Sequence, residues 1–189
     1  MLKFERYLEK KLKAEVLVYL KEGRPGWDIP HTLACVYWAK KLLKSEGGNP
    51  RIVIPAIYMH DMGYPFKQMR FNPKKNVNLK IYHMKRGALL SKKILKKLGE
   101  FSKNEIKEIS AIIGRHDDID GIKEHATKHE QLVFEADSLG QIDTKRVKPT
   151  FSKEERKEFI KRFQWNRATT FKTKTGKKFL KELLAKVKN

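Results

Sequence analysis

Cysteine is nearly absent from this 189-residue chain: Cys35 stands alone and has no partner for an intramolecular disulfide. A fold stapled by disulfides is excluded, and a reducing compartment is expected. Long apolar runs are missing as well. The segment MLKFERYLEKKLKAEVLVYLKEG carries charges every few residues, and no run approaches the roughly 20 apolar residues that span a bilayer. A soluble, cytoplasmic protein without a membrane partner is the expectation. GxGxxG and P-loop motifs, paired CxxC motifs, internal repeats and low-complexity tracts are also absent. No segment alternates apolar and polar residues as a half-buried strand does. Acidic residues are scarce: 22 Asp and Glu against 43 Lys and Arg leave a net charge of +21, which reads as a solvated Lys-rich surface or as attraction for anionic partners or substrates.

What is present suffices for a core. The chain is 40% hydrophobic, with 10 Phe, 6 Tyr and 3 Trp, and its length suits one domain. Leu2, Phe4, Tyr7, Leu8, Leu12, Val16 and Tyr19 recur at helical spacing until Gly23-Arg24-Pro25-Gly26 stops them. A second helix is expected from near His31 to Lys44, closed by Gly47-Gly48. A third opens at Asn49-Pro50 and carries Ile52 to Met59, with Pro55 as a kink. Phe66 to Asn78 reads as a substrate-side loop. Further helices are expected over Leu79–Leu98, from Ser102 to Gly114, over Lys128–Ile142, from Ser152 to about Thr169, and around Phe179–Val187. Two of these open on capping boxes, Ser102-Lys103-Asn104-Glu105 and Ser152-Lys153-Glu154-Glu155. The expected fold is all-α, a single-domain multi-helix bundle. Residues 1–144 form its main body, and 145–189 form a basic helical extension on the same domain; the extension carries +12 and the remainder +9.

In a bundle, function depends on which polar groups point inward. His60-Asp61 closes the apolar run Ile52 to Met59, where an unpaired buried carboxylate is costly; a bound cation would remove that cost. His31 opens the preceding helix, His83 lies on the following one, His116 ends the apolar Ile109 to Ile113 segment, and Asp137 lies in Leu132-Val133-Phe134-Glu135-Ala136-Asp137. Such imidazoles and carboxylates suit Fe, Mn, Zn, Co or Mg, and metal identity stays open.

His31, His60-Asp61 and Asp137, in this order on successive helices, resemble the H…HD…D signature of the HD-domain metal-dependent phosphohydrolases. The resemblance covers about residues 28–143, and the contexts Asp28-Ile29-Pro30-His31-Thr32, Met59-His60-Asp61-Met62-Gly63 and Glu135-Ala136-Asp137-Ser138-Leu139 are similar to that family's. His83 and His116 fall where its six-ligand branch has two further histidines. The resemblance implies an HD-type helical domain with two divalent ions. Asp61 would bridge them, His31, His60 and Asp137 would hold one, and His83 with His116 the other. It further implies that His60 and Asp61 are catalytic, with metal-bound hydroxide attacking phosphorus in a phosphorylated small molecule, most simply a nucleotide.

Lys85, Arg86 and Arg115 flank these histidines and are candidate phosphate clamps or exposed basic residues. His125 and His129 read as surface histidines without a zincin glutamate, and Asp117, Asp118 and Asp120 as a solvated acidic turn before Gly121 or, at Asp117 above all, as a group that orients a water or a metal-site histidine. Trp27 could stack on a base or cover the core. Phe163, Trp165 and Phe171 among basic residues read as a core face or as a nucleic-acid surface. The alternative function is therefore a nucleic-acid-binding module or nuclease, with weak nucleic-acid binding at the basic surface.

Overall fold

A computed structural model describes residues 4–64, 76–148 and 152–187. Among them the chain forms nine α-helices and no strand. The order is α1 (Arg6–Lys21), α2 (Asp28–Glu46), α3 (Pro50–Met59), α4 (Asn76–Leu98), α5 (Lys103–Ile113), α6 (Ile119–His125), α7 (Lys128–Ile142), α8 (Lys153–Asn166) and α9 (Lys174–Val187), with a 3-10 turn at Ala168–Thr170. The architecture is the all-α bundle that the apolar spacing predicts.

The centre is α3. Ile52, Val53, Ile54, Ala56, Ile57, Tyr58 and Met59 are all buried, as befits a helix apolar on every side. It packs against α1, α2, α5 and α7. Asn49 caps it by accepting the Arg51 N–H at 2.9 Å, Pro50 occupies the first turn, and Pro55 lies within the helix. By contrast α1 buries only the stripe Leu8, Leu12, Val16 and Leu20, and Tyr7 lies on the exposed side. The capping boxes at Ser102 and Ser152 form, as does a third at Thr127 with Glu130 opening α7.

Several boundaries differ from those read off the sequence. The second helix starts at Asp28 rather than near His31, because Pro30 falls in its first turn, where no N–H is required. The acidic stretch is not a plain turn: Asp118 accepts the Gly121 N–H at 3.2 Å and starts α6. Residues 76–78 begin α4, while 66–75 of the expected loop lie outside the described residues. At the other end α9 lies on α7 and α2. Buried Glu135 holds that end in place, accepting from Gln131 Nε2 at 2.8 Å, the Lys172 N–H at 2.8 Å, the Thr173 N–H at 2.9 Å and the Thr173 hydroxyl. Among the described residues no helix is long and apolar enough to cross a membrane.

Candidate metal centre

Three helices and two helix ends bring six buried residues to one point. His31 comes from the first turn of α2, His60 and Asp61 from just beyond α3, His83 from α4, His116 from beyond α5 and Asp137 from α7. The two oxygens of Asp61 face different partners. Oδ2 lies 3.5 Å from His31 Nε2 and 3.4 Å from His60 Nε2, whereas Oδ1 lies 3.7 Å from His83 Nε2 and 3.8 Å from His116 Nε2. Asp137 Oδ1 completes the first set, 3.0 Å from His31 Nε2 and 3.6 Å from His60 Nε2.

Backbone carbonyls orient three of the rings. His60 Nδ1 donates to Ile57 O at 2.7 Å, His116 Nδ1 to Ile113 O at 2.8 Å and His83 Nδ1 to Leu79 O at 3.2 Å. A carbonyl only accepts, so the proton sits on Nδ1 and each Nε2 points at the cluster; histidine ligands are commonly oriented this way. His60 Nε2 and His31 Nε2 are 3.2 Å apart, and His83 Nε2 and His116 Nε2 are 3.3 Å apart. Ligands held about 2.0–2.2 Å from one cation stand roughly 3–3.5 Å from each other, so each histidine pair is spaced to share an ion. The donor set and its spacing thus fit divalent metals.

Two guanidiniums hold the carboxylates from outside. Arg24, in the loop after α1, donates from Nη2 to Asp61 Oδ2 at 2.5 Å and from Nε to Asp28 Oδ1 at 2.6 Å. Arg167, which caps α8, donates to Asp137 Oδ2, to Asp117 Oδ1 at 2.5 Å and to Ser138 Oγ at 2.9 Å. Burial works against both carboxylate charges. It is outweighed by His60 and Arg24 around Asp61, and by Arg167, His31 and His60 around Asp137, so both carboxyls lie well below their usual range. Burial also opposes charge on His60, yet Asp61 and Asp137 lift it well above the ordinary histidine value. At His83 burial, reinforced by His116, lowers the value to about 4.

Aromatic rings brace the same residues. Tyr64 stacks on His83 at 4.1 Å between centroids, Arg24 lies over Tyr64 at 3.9 Å, and Trp27 stacks on His31 at 5.4 Å. Trp27 thus covers a site histidine. Cys35 Sγ sits 3.5 Å from His31 Nε2; burial first and Asp137 second push its thiol well up, so it stays protonated.

A cavity of about 150 Å³ opens onto the cluster, walled in part by Arg24, Tyr64, Asp117, Gln141 and Phe159. The proposed clamps are not on its wall. Lys85 is exposed, Arg86 donates to the Gly63 and Tyr64 carbonyls at 3.2 and 3.0 Å, and Arg115 pairs with Glu130 at 3.5 Å in a neighbouring groove. The arginines that do reach the carboxylates, Arg24 and Arg167, were not singled out in the sequence. His125 is exposed as expected, but His129 accepts the Asn49 N–H at 3.0 Å and pairs with Glu108 at 2.6 Å, so it joins α7 to α3 and α5.

The HD domain family model matches residues 29–141. The chain belongs to the HD-domain family. A solved structure similar in fold is a predicted HD superfamily hydrolase from an uncultured Thermotogales bacterium, with a TM-score of 0.61 and 19% identity over 94% of this chain and 86% of that one. No curated protein matches the sequence.

Proposed function

We propose that this HD-domain protein is a metal-dependent phosphohydrolase acting on a phosphorylated small molecule, most simply a nucleotide. One observation carries the reading: Asp61 turns one oxygen to His31 and His60 and the other to His83 and His116. This arrangement would let Asp61 serve two divalent ions, one of which His31, His60 and Asp137 would hold and the other His83 and His116. Divalent ions bound there supply Lewis acidity, lowering the pKa of water and offsetting charge on phosphoryl oxygens.

The chain's own groups do the rest. Arg24 and Arg167 hold the Asp61 and Asp137 carboxylates in orientation, and the partly exposed Arg24 side chain presents positive charge at the cavity wall. Trp27, Tyr64 and Phe159 restrict water around the cluster. A cavity of 150 Å³ lies below the roughly 300–1,000 Å³ of sites that enclose a whole small-molecule ligand, so it suits a terminal phosphoryl group. This favours a phosphomonoester over a diester. The +21 charge assists capture of the anion.

The test is elemental analysis of the purified protein followed by hydrolysis of nucleoside monophosphates, p-nitrophenyl phosphate and bis-p-nitrophenyl phosphate with and without chelator. Chelator-sensitive release of phosphate from monoesters is expected. Sequence-selective nucleic-acid binding that survives chelation, with no phosphoester hydrolysed, would overturn the reading and favour the nucleic-acid module.

A further inference from the structure

Beside the metal cavity lies a larger groove of about 630 Å³, and Asp117 lines both. The groove wall is built from α4, the segment between α5 and α6, the start of α6 and the end of α8, and it includes Lys80, Arg115, Asp120, Trp165 and Asn166. Trp165 is the unexpected member. Phe163 and Phe171 are buried as a core face requires, but Trp165 is 80% exposed. An indole left in water beside a polar groove gains nothing from folding and is well placed to stack on a planar ligand.

Resting on the phosphohydrolase reading, we propose that this groove is a binding subsite for the nucleobase of the substrate, with Trp165 as its stacking platform. Three observations agree. The metal cavity has room for a phosphoryl group but not for a nucleoside, whereas 630 Å³ lies within the range of small-molecule sites. Asp117 lines both spaces, and in this proposal an ester places its phosphoryl group against the cluster and its leaving group in the groove. The rim offers both hydrogen-bond senses: Lys80 and Arg115 donate, Asp120 accepts and Asn166 does both. A heterocycle has matching edges; a plain aryl ring does not. Asp117 is anchored by Arg167 at 2.5 Å and Lys80 at 3.3 Å, which fixes the junction between the spaces. Trp165 and Asn166 lie outside the matched family segment, so the end of α8 supplies the stacking wall of a groove whose other residues lie within that segment.

Removing an exposed indole leaves the core intact, so Trp165→Ala should fold. The first readout is tryptophan emission of the full chain titrated with adenosine, which has no phosphate. We expect quenching that disappears in Trp165→Phe, where Trp27 and Trp38 still emit. The second readout is steady-state hydrolysis. Trp165→Ala should raise KM for adenosine 5′-monophosphate about tenfold, Trp165→Phe should recover most of it, and ribose 5-phosphate should be unaffected by either change. Quenching retained in Trp165→Phe, or equal KM changes for the two esters, would overturn the subsite. Hydrolysis of ribose 5-phosphate without adenosine quenching would overturn the subsite and leave the phosphohydrolase reading standing. Quenching at Trp165 with no ester hydrolysed would do the reverse.

Discussion

Arg167 donates to the carboxylate of Asp137 across the seam between the C-terminal helices and the HD segment. The same guanidinium reaches Asp117 and Ser138, so one residue beyond the matched segment fixes a metal-facing carboxylate and the wall of the cavity. Breaking a buried ion pair by removing one partner leaves a bare charge, which typically costs 3–5 kcal/mol. Arg167→Leu should therefore lower stability by about 3 kcal/mol in metal-free protein. Metal loading should reduce that loss, because bound cations also compensate Asp137. Urea midpoints with and without divalent metal measure the difference, and equal losses would show that Asp137 does not face the ion.

Gly63 leaves no room for a side chain. A Cβ there would lie 1.9 Å from the His83 carbonyl oxygen and 2.6 Å from the Gly87 nitrogen, both backbone atoms. Gly63→Ala should push α4 away from the end of α3 and carry His83 with it. The expected result is loss of one ion, with the ion at His31 and Asp137 retained, read by elemental analysis. Unchanged metal content would mean that His83 is not a ligand.

Glu135 holds the C-terminal segment through three of its donors, the Lys172 and Thr173 amides and the Thr173 hydroxyl, and also accepts from Gln131 on its own helix. Glu135→Ala strands those donors, and buried donors without partners cost about 1–3 kcal/mol each before water re-enters. A loss of at least about 2 kcal/mol is expected, together with faster hydrogen exchange at the Lys172 and Thr173 amides. Stability within 0.5 kcal/mol of wild type would contradict this anchoring.

Much of this centre was readable in the sequence. His31, His60, Asp61, His83, His116 and Asp137 stood out because polar residues on apolar helices need compensation, and the structure draws all six together. Ser102 and Ser152 announced their helices through local chemistry; Thr127-Lys128-His129-Glu130 carried the same signal without being singled out. Arg24 and Arg167 were hidden for a different reason. Neither stands out among 43 basic residues: Arg24 has a near partner in Asp28, but the metal-facing carboxylates that Arg24 and Arg167 reach are 37 and 30 residues away in sequence. Trp165 was likewise masked, because it was read with Phe163 as one core face, although residues two apart on a helix point to nearly opposite sides and Trp165 lies on the groove.

Acid should weaken the link between α3 and α5. Glu105 is partly buried, which opposes its charge, but Arg51 Nε at 2.7 Å and the Ser102 cap hold its carboxyl below the ordinary 4.5. A lowered folded value contributes stability above the unfolded value, and that contribution fades as pH falls through the folded one. Glu105→Gln should therefore cost about 0.5–1 kcal/mol at pH 7 and less at pH 3, as judged by urea midpoints. An equal cost at both would show that the charge is irrelevant.

The most direct measurement is the metal content of purified wild-type protein beside Asp61→Ala. A carboxylate shared between His31 with His60 and His83 with His116 predicts about two divalent ions per chain in the wild type and loss of both in the variant, with the helical fold retained by circular dichroism. Full metal content in Asp61→Ala would contradict the account.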